Sequence, residues 1–229
     1  MSSGGLTGGI YKPLNPEQVE LIHGEALSLL EDVGMTYESG QDELLALVKN
    51  AGCRVDRSAR RIFFPPPLIE EMAAQAPGEF NLYSRDGKND LQMGHDRVYA
   101  GTGGTTVKIL DLDTNEVRRS VVKDIRNVAR IVEEMKHIHF FQNCCVPNDV
   151  PLEHYDLNIA FAAMLGTKKH VMFGCNFDQS LRDTFRMVAR IAGSKEALSV
   201  KPIFSISACM IISPLKFCWA SLPVKTTWP

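Results

Sequence analysis

Six cysteines occur in this chain of 229 residues, and four of them recur in one kind of setting: Cys144 with Cys145, then Cys175, then Cys209. Each setting closes a short apolar run, "HIHFFQNCCV", "HVMFGCN" and "KPIFSISAC". If those runs are neighbouring strands, the thiols converge on one rim, where thiolates could bind zinc or act as nucleophiles. The competing reading is that Cys is a small, well-buried residue suited to crowded strand ends. There is no CxxC and no familiar zinc spacing, and no His stands nearby at ligand spacing, so no metal ligand is assigned. Polar residues share these ends. Asn143, Cys145, Asn176, Ser207 and Ser213, at or just beyond the strand ends, are the candidate substrate-binding residues, and no catalytic residue is assigned. Asn148 and Ser205 offer further hydrogen bonds, and Phe141, Phe173, Phe177 and Tyr155 could face a cation or simply fill a core.

Other motifs carry less chemistry. "GTGGT" at 101–105 lacks the G-x-G-x-x-G frame opening a helix, and reads as a tight turn or a close backbone approach. No G-x-S-x-G, H-E-x-x-H or P-loop occurs. His137, His139 and His170 sit at strand starts, where structural roles are expected.

The elements that must position these residues follow from periodicity. The three apolar runs start near 138, 170 and 203, a repeat of 32 or 33 residues. Between them lie amphipathic patterns, Leu157, Ala160, Phe161 and Met164, then Leu181, Phe185, Val188 and Ala192, each stopped by a glycine. Short unbroken apolar strands alternating with helices predict a parallel sheet covered on both faces. The repeat fits an open doubly wound sheet or a (β/α)8 barrel equally well. Upstream, Asn15-Pro16 with Gln18 predicts a capped helix running to Gly34. A second helix is expected from Ser39 to Gly52, a hairpin over 53–64, a third helix from Pro66 and a strand from Glu79.

Composition narrows the partners. Hydrophobic residues make up 45% and charged residues 23%, and a formal charge of −2 offers no attraction to nucleic acid or an anionic membrane. No apolar run reaches the roughly 18 residues of a membrane span. The opening "MSSGGLTGGIYKPLNP" lacks the regions of a signal peptide, so a cytoplasmic protein with reduced thiols is expected.

Ordered blocks then carry a resemblance. "LNPEQVELIHGEALSLLEDVGMTY", "AGCRVD", "RIFFPPPLIEEMAAQAP", "FNLYSRDG", "GGTTVKILDLDTNEVRRSVVKDIRNVARIVEEM" and "KPIFSISACMIISPL" together resemble the N-terminal half of the trimethylamine methyltransferase family of MttB-like corrinoid methyltransferases. The Ser213-Pro214-Leu215 step matches a block of that family. The resemblance implies an α/β fold: an α+β extension over 1–97, then the first half of a (β/α)8 TIM barrel over 98–217. It implies transfer of a methyl group from trimethylamine, or a quaternary amine such as glycine betaine, to the cobalt of a separate corrinoid protein. No cofactor would be bound by the chain itself, and the full-length enzyme would be a homo-oligomer. Residues 218–229, "CWASLPVKTTWP", depart from the family pattern, so a truncation or frameshift product is expected, ending about halfway round the barrel. A non-catalytic remnant and a zinc-thiolate α/β enzyme are the alternatives.

Overall fold

The structure, a computed structural model, describes residues 5–207 and 211–217. These fall into two compact units, one holding 5–8 and 79–207 and the other 9–78 and 211–217. Strand β1 (Leu6–Thr7) pairs antiparallel with Arg97–Val98 and so belongs to the first of these.

The unit of 9–78 begins with helix α1 (Pro16–Ser28). Its start is a reciprocal cap: Gln18 N donates to Asn15 Oδ1 at 2.8 Å and Asn15 N donates to Gln18 Oε1 at 3.0 Å. Pro16 occupies the first turn, where its missing N–H costs nothing. A π-helical turn, Leu29–Val33, follows and ends at Gly34, whose φ of 67° combined with a ψ of −176° suits glycine alone; a Cβ there would run into the Ile62 carbonyl. Strand β2 (Met35–Tyr37) leads to helix α2 (Asp42–Asn50). That helix starts three residues later than its polar cue at Ser39, because Gly40, at a φ of 81°, still holds the chain in a turn. Strands β3 (Arg54–Asp56) and β4 (Arg61–Phe63) form the expected hairpin, with Asp56 Oδ1 accepting the Ser58 and Ala59 amides in the turn. Helix α3 (Pro66–Gln75) closes this part of the chain. Tyr37, Leu44, Leu45, Cys53 and Ile62 make its core.

The larger unit opens with β5 (Glu79–Leu82) and β6 (Leu91–Gly94), an antiparallel pair, followed by β7 (Arg97–Val98). A hairpin of β8 (Lys108–Leu110) and β9 (Val117–Arg119) turns at Asp111, whose side chain accepts from the Asp113 and Thr114 amides. Three βα repeats then follow in sequence: α4 (Val122–Glu134), β10 (Phe141–Gln142), α5 (Tyr155–Gly166), β11 (Val171–Phe173), α6 (Asp178–Ala192), the short α7 (Lys195–Val200) and β12 (Phe204–Ile206). The strands form a parallel sheet in the order β10-β11-β12, in register Phe141 with Val171 and Val171 with Phe204. Parallel bridges from Gly101 to Phe140 and from Thr106 to Cys145 set segment 101–106 along the other side of β10. Gly101 is there for close approach, since a Cβ would collide with the Phe140 ring.

The core of this unit lies between sheet and helices. Ile125, Ala129 and Val132 of α4, Ile159, Ala160, Ala162, Ala163 and Met164 of α5 and Val188 of α6 surround Phe141, Val171, Phe173 and Phe204. Burying one such Phe is worth about 1.5–3 kcal/mol. Phe173 stacks on Phe204 with centroids 5.7 Å apart, and Phe185 meets Phe204 edge-on at 5.0 Å. The fold is therefore mixed α/β with a parallel sheet. No closed barrel forms among the described residues: three strands and one flanking segment stand side by side, against the eight that closure takes.

Strand β13 (Ile211–Ile212) and strand β14 (Lys216–Phe217) return to the smaller unit, giving a five-stranded sheet in the order β13-β14-β2-β4-β3. The compact units divide after Gly78, so β5 to β7 go with the repeats rather than with the N-terminal helices. Residues 218–229 lie outside the described residues.

Candidate functional site

The C-terminal ends of the parallel strands are laced together by the backbone. Asn143 N donates to Met172 O at 2.8 Å, and Ser207 N donates to Phe173 O at 2.9 Å. On the other flank Thr106 N donates to Cys144 O at 2.9 Å and Val146 N to Thr106 O at 2.8 Å. Thr102 completes this edge: its hydroxyl donates to Gln142 O at 2.7 Å and accepts from Gln142 N at 3.0 Å. Ser120, fully buried, donates from Oγ to Val146 O at 2.6 Å and ties the end of the β8–β9 hairpin to the same loop.

Four of the five candidate residues gather along these ends. Asn143 is half-buried; its Nδ2 donates to Cys145 O at 3.1 Å, while its buried Oδ1 has no hydrogen-bond partner among the described residues. A buried acceptor left unsatisfied calls for an explanation in a site. Cys145 is buried in the core, with Sγ 3.6 Å from that of half-buried Cys144. Asn176 is exposed but not free to turn, because its N and Nδ2 donate to the two oxygens of Asp156 at 2.7 and 2.8 Å. Ser207 is half-buried beside Gly174, whose hypothetical Cβ would stand 3.8 Å from Ser207 O. Ser213 falls in the other unit, exposed in the turn between β13 and β14, with a cis bond to Pro214.

The carboxylate that orders the end of β11 was not singled out from the sequence. Asp156 is fully buried in the first turn of α5 and also receives Cys175 Sγ at 3.5 Å. An acid in a helix's first turn is favoured by the unpaired N–H groups there. The only local signal was its place four residues before Ala160 on the apolar face of that helix. Two of the thiol positions are thus spoken for by different partners, Cys175 by Asp156 and Cys144 by Cys145. Cys209 lies outside the described residues. The hydrogen bond with Cys145, and then burial, push the Cys144 thiol up, so it stays protonated at neutral pH. Among the described residues no three His, Cys, Asp or Glu side chains cluster closely enough to hold a metal ion.

The strand starts at the opposite end are structural. Lys169 is buried, yet its Nζ donates to Val132 O, Met135 O and Ile138 O at 2.7, 2.7 and 2.6 Å, capping the C-terminus of α4. His139 Nδ1 accepts from Ala100 N at 3.0 Å, and its ring meets Tyr99 edge-on. His170 Nδ1 faces Tyr83 O at 3.0 Å and its Nε2 faces Ser205 Oγ at 2.7 Å. The carbonyl can only accept, so the imidazole proton sits on Nδ1 and Ser205 donates to Nε2. Ser205 is thereby occupied by His170, and Phe141 and Phe173 are core residues.

Arg118 braces the site from outside. It donates to Asp111 Oδ2 at 2.7 Å and grips both oxygens of Asp124 at 2.8 and 2.9 Å, while Asp124 also accepts from Val121 N at the start of α4. The guanidinium holds the Asp111 carboxyl down at about 2. A separate cleft of about 320 Å³, lined by Glu31, Asp32, Arg54 and Phe63 among others, belongs to the smaller unit. Arg54 lies over the Phe63 ring, 3.5 Å from its centroid. No helix among the described residues is long and apolar enough to cross a membrane.

Among the described residues these strand ends carry mainly neutral polar groups beside the Asp156 carboxylate, and Asn143 Oδ1 is a buried carbonyl oxygen there with no hydrogen-bond partner. The trimethylamine methyltransferase MttB of Desulfitobacterium hafniense (strain DSM 10664 / DCB-2) is 30% identical over 200 residues, which are 87% of this chain and 40% of that protein. The glycine betaine methyltransferase of Desulfitobacterium hafniense (strain Y51) is 24% identical over 208 residues, 90% of this chain and 42% of that protein. The chain thus spans about 40% of the length of the curated relatives it matches. The family model for trimethylamine methyltransferase (MTTB) runs from residue 6 to residue 225, nearly end to end, and the chain belongs to that family.

Proposed function

We propose that these residues are part of a methyltransferase that passes a methyl group from a methylated amine, trimethylamine or a quaternary amine such as glycine betaine, to the cobalt of a separate corrinoid protein. The observation that carries this reading is the family match over 6–225, with relatives that act on both kinds of amine by name. The successive βα repeats, with segment 101–106 alongside, support a (β/α)8 barrel to which they contribute the first strands.

The corrinoid, carried by the partner, supplies the nucleophile that takes the methyl group. The work left to this chain is positioning and charge complementarity. A quaternary amine has no N–H to donate, so oxygen dipoles or aromatic faces must meet its positive charge. Asn143 Oδ1, buried and unpartnered among the described residues, fits that role. Ser207 would line the next strand end, while Cys145 and Asn176, tied down by Cys144 and Asp156, would contribute shape.

The test uses this chain and a chimera that appends the remainder of the Desulfitobacterium trimethylamine methyltransferase. Each is mixed with trimethylamine or glycine betaine and a corrinoid protein reduced to Co(I), and methyl–Co(III) is followed by absorbance. We expect amine-dependent methylation of cobalt by the chimera, with Asn143→Ala lowering kcat/KM by roughly tenfold, the scale of one lost polar contact. A folded chimera that methylates no cobalt, or that transfers the methyl to a free thiol or folate without corrinoid, would sink the proposal.

A further inference from the structure

We propose that Cys144 and Cys145 form a two-sulfur chelating site for trivalent organoarsenic compounds. The two sulfurs already stand 3.6 Å apart. Two sulfur–ion bonds of about 2.3 Å, the length seen in zinc thiolates, span roughly 3.5–3.8 Å at a pyramidal or tetrahedral angle. A linear two-coordinate ion would need about 4.6 Å on the same bond length.

The backbone holds this bite in place. Cys144 O accepts from Thr106 N at 2.9 Å, and Cys145 O accepts from Asn143 Nδ2 at 3.1 Å. Closing the pair to a disulfide is the costly alternative. Adjacent residues joined by a trans peptide have Cα atoms about 3.8 Å apart, shorter than the roughly 4.4–6.8 Å that disulfides prefer. The only cis peptide among the described residues is Ser213-Pro214. The dithiol therefore persists where a wider-spaced pair would oxidise.

The surroundings choose the ligand. With no third His, Cys, Asp or Glu at ligand distance among the described residues, a four-coordinate ion finds only half its ligands. A monosubstituted arsenic(III) centre needs two sulfurs and brings its own third bond, to carbon. Cys145 is part of the apolar core cluster and Cys144 packs against it, so an organic substituent suits the place better than a hydrated ion. Half-buried Cys144 supplies the approach. The step balances: an arsenoso group and two thiols give two As–S bonds and one water, which carries away the arsenic-bound oxygen and both thiol protons. Arsenic stays trivalent, and no oxidant or reductant is consumed.

The probe is phenylarsine oxide, added to the native chain, with the adduct read by intact-mass spectrometry after desalting. We expect one phenylarsenic per chain, removed by 2,3-dimercaptopropanol and resistant to an equal thiol concentration of 2-mercaptoethanol. Cys144→Ser and Cys145→Ser should each weaken retention about a hundredfold or more, since the second sulfur acts at high effective concentration. Cys53→Ser, Cys175→Ser, Cys209→Ser and Cys218→Ser should leave it unchanged. Retention that survives Cys144→Ser, or that is lost with one of those four, overturns the proposal. So does a native chain that takes up no arsenical while the urea-unfolded chain does.

Discussion

His170 shows how a single side chain acquires a pH-dependent role from its surroundings. With Tyr83 O on one nitrogen and Ser205 Oγ on the other, burial pushes its imidazole from the ordinary value of 6.5 down to about 4. Between those values the unfolded chain binds a proton that the native chain refuses. Stability therefore rises with pH across that window and is level above it. The whole shift is worth roughly 3 kcal/mol, lost progressively as pH falls from 6.5 towards 4. Asp111 acts lower down: held at about 2 by Arg118, it favours the fold above its ordinary value of 3.8 and stops doing so as pH falls through 2. The two windows do not overlap, so urea midpoints at pH 8 and pH 5 span most of the histidine's window and leave Asp111 ionised at both. The native chain should lose much of its midpoint between them, and His170→Gln should lose clearly less. Equal losses would show that another group carries the dependence.

At the scale of elements, the repeats depend on how closely helices approach. Helix α5 buries Ile159, Ala160, Ala162, Ala163 and Met164, and its last residue, Gly166, lies against α4. A Cβ on Gly166 would collide with the Ala129 Cβ and stand 2.7 Å from Arg126 O, so the two helices would have to part. Gly24 in α1 is the opposite case, with nothing within 4 Å of a Cβ. Gly166→Ala should destabilise by about 1–3 kcal/mol through overpacking. Gly24→Ala should stabilise by about 0.5–1 kcal/mol, because alanine loses less backbone freedom on entering a helix. Urea unfolding of both variants checks the signs. A stabilising change at both positions would mean that helix propensity, not packing, decides at Gly166.

The described residues form two units with separate core clusters, one built on Ile62 and Leu44 and the other on Phe141 and Phe173. Gly34 and Gly166 are tight points of the two units respectively. Gly34→Ala puts a side chain at a φ of 67° and against the Ile62 carbonyl, so it should strain the smaller unit. Amide hydrogen exchange followed by mass spectrometry should then show faster exchange over 35–63 with little change over 141–206. Gly166→Ala should do the reverse. Uniform acceleration across both regions in either variant would mean that the units open as one cooperative body.

The sequence by itself determined the local order of this protein. The capping box at Asn15 and Gln18, the hairpin over 53–64 and the succession of apolar strand and amphipathic helix are all written in residues that are neighbours along the chain, and the structure repeats them. The family too was legible, in ordered blocks matched from residue 6 to residue 225. Tertiary structure alone decided which strand-end groups remain available. Asn176 is claimed by Asp156 from 20 residues away, and Ser205 by His170 from 35. Ser213 falls in a different unit from Asn143 and Ser207. The reason is desolvation: a polar group carried into a core must find a partner there, and the partner comes from whichever element packs beside it. Sequence periodicity says which face of an element is buried, but not whose hydrogen-bonding atoms will meet it.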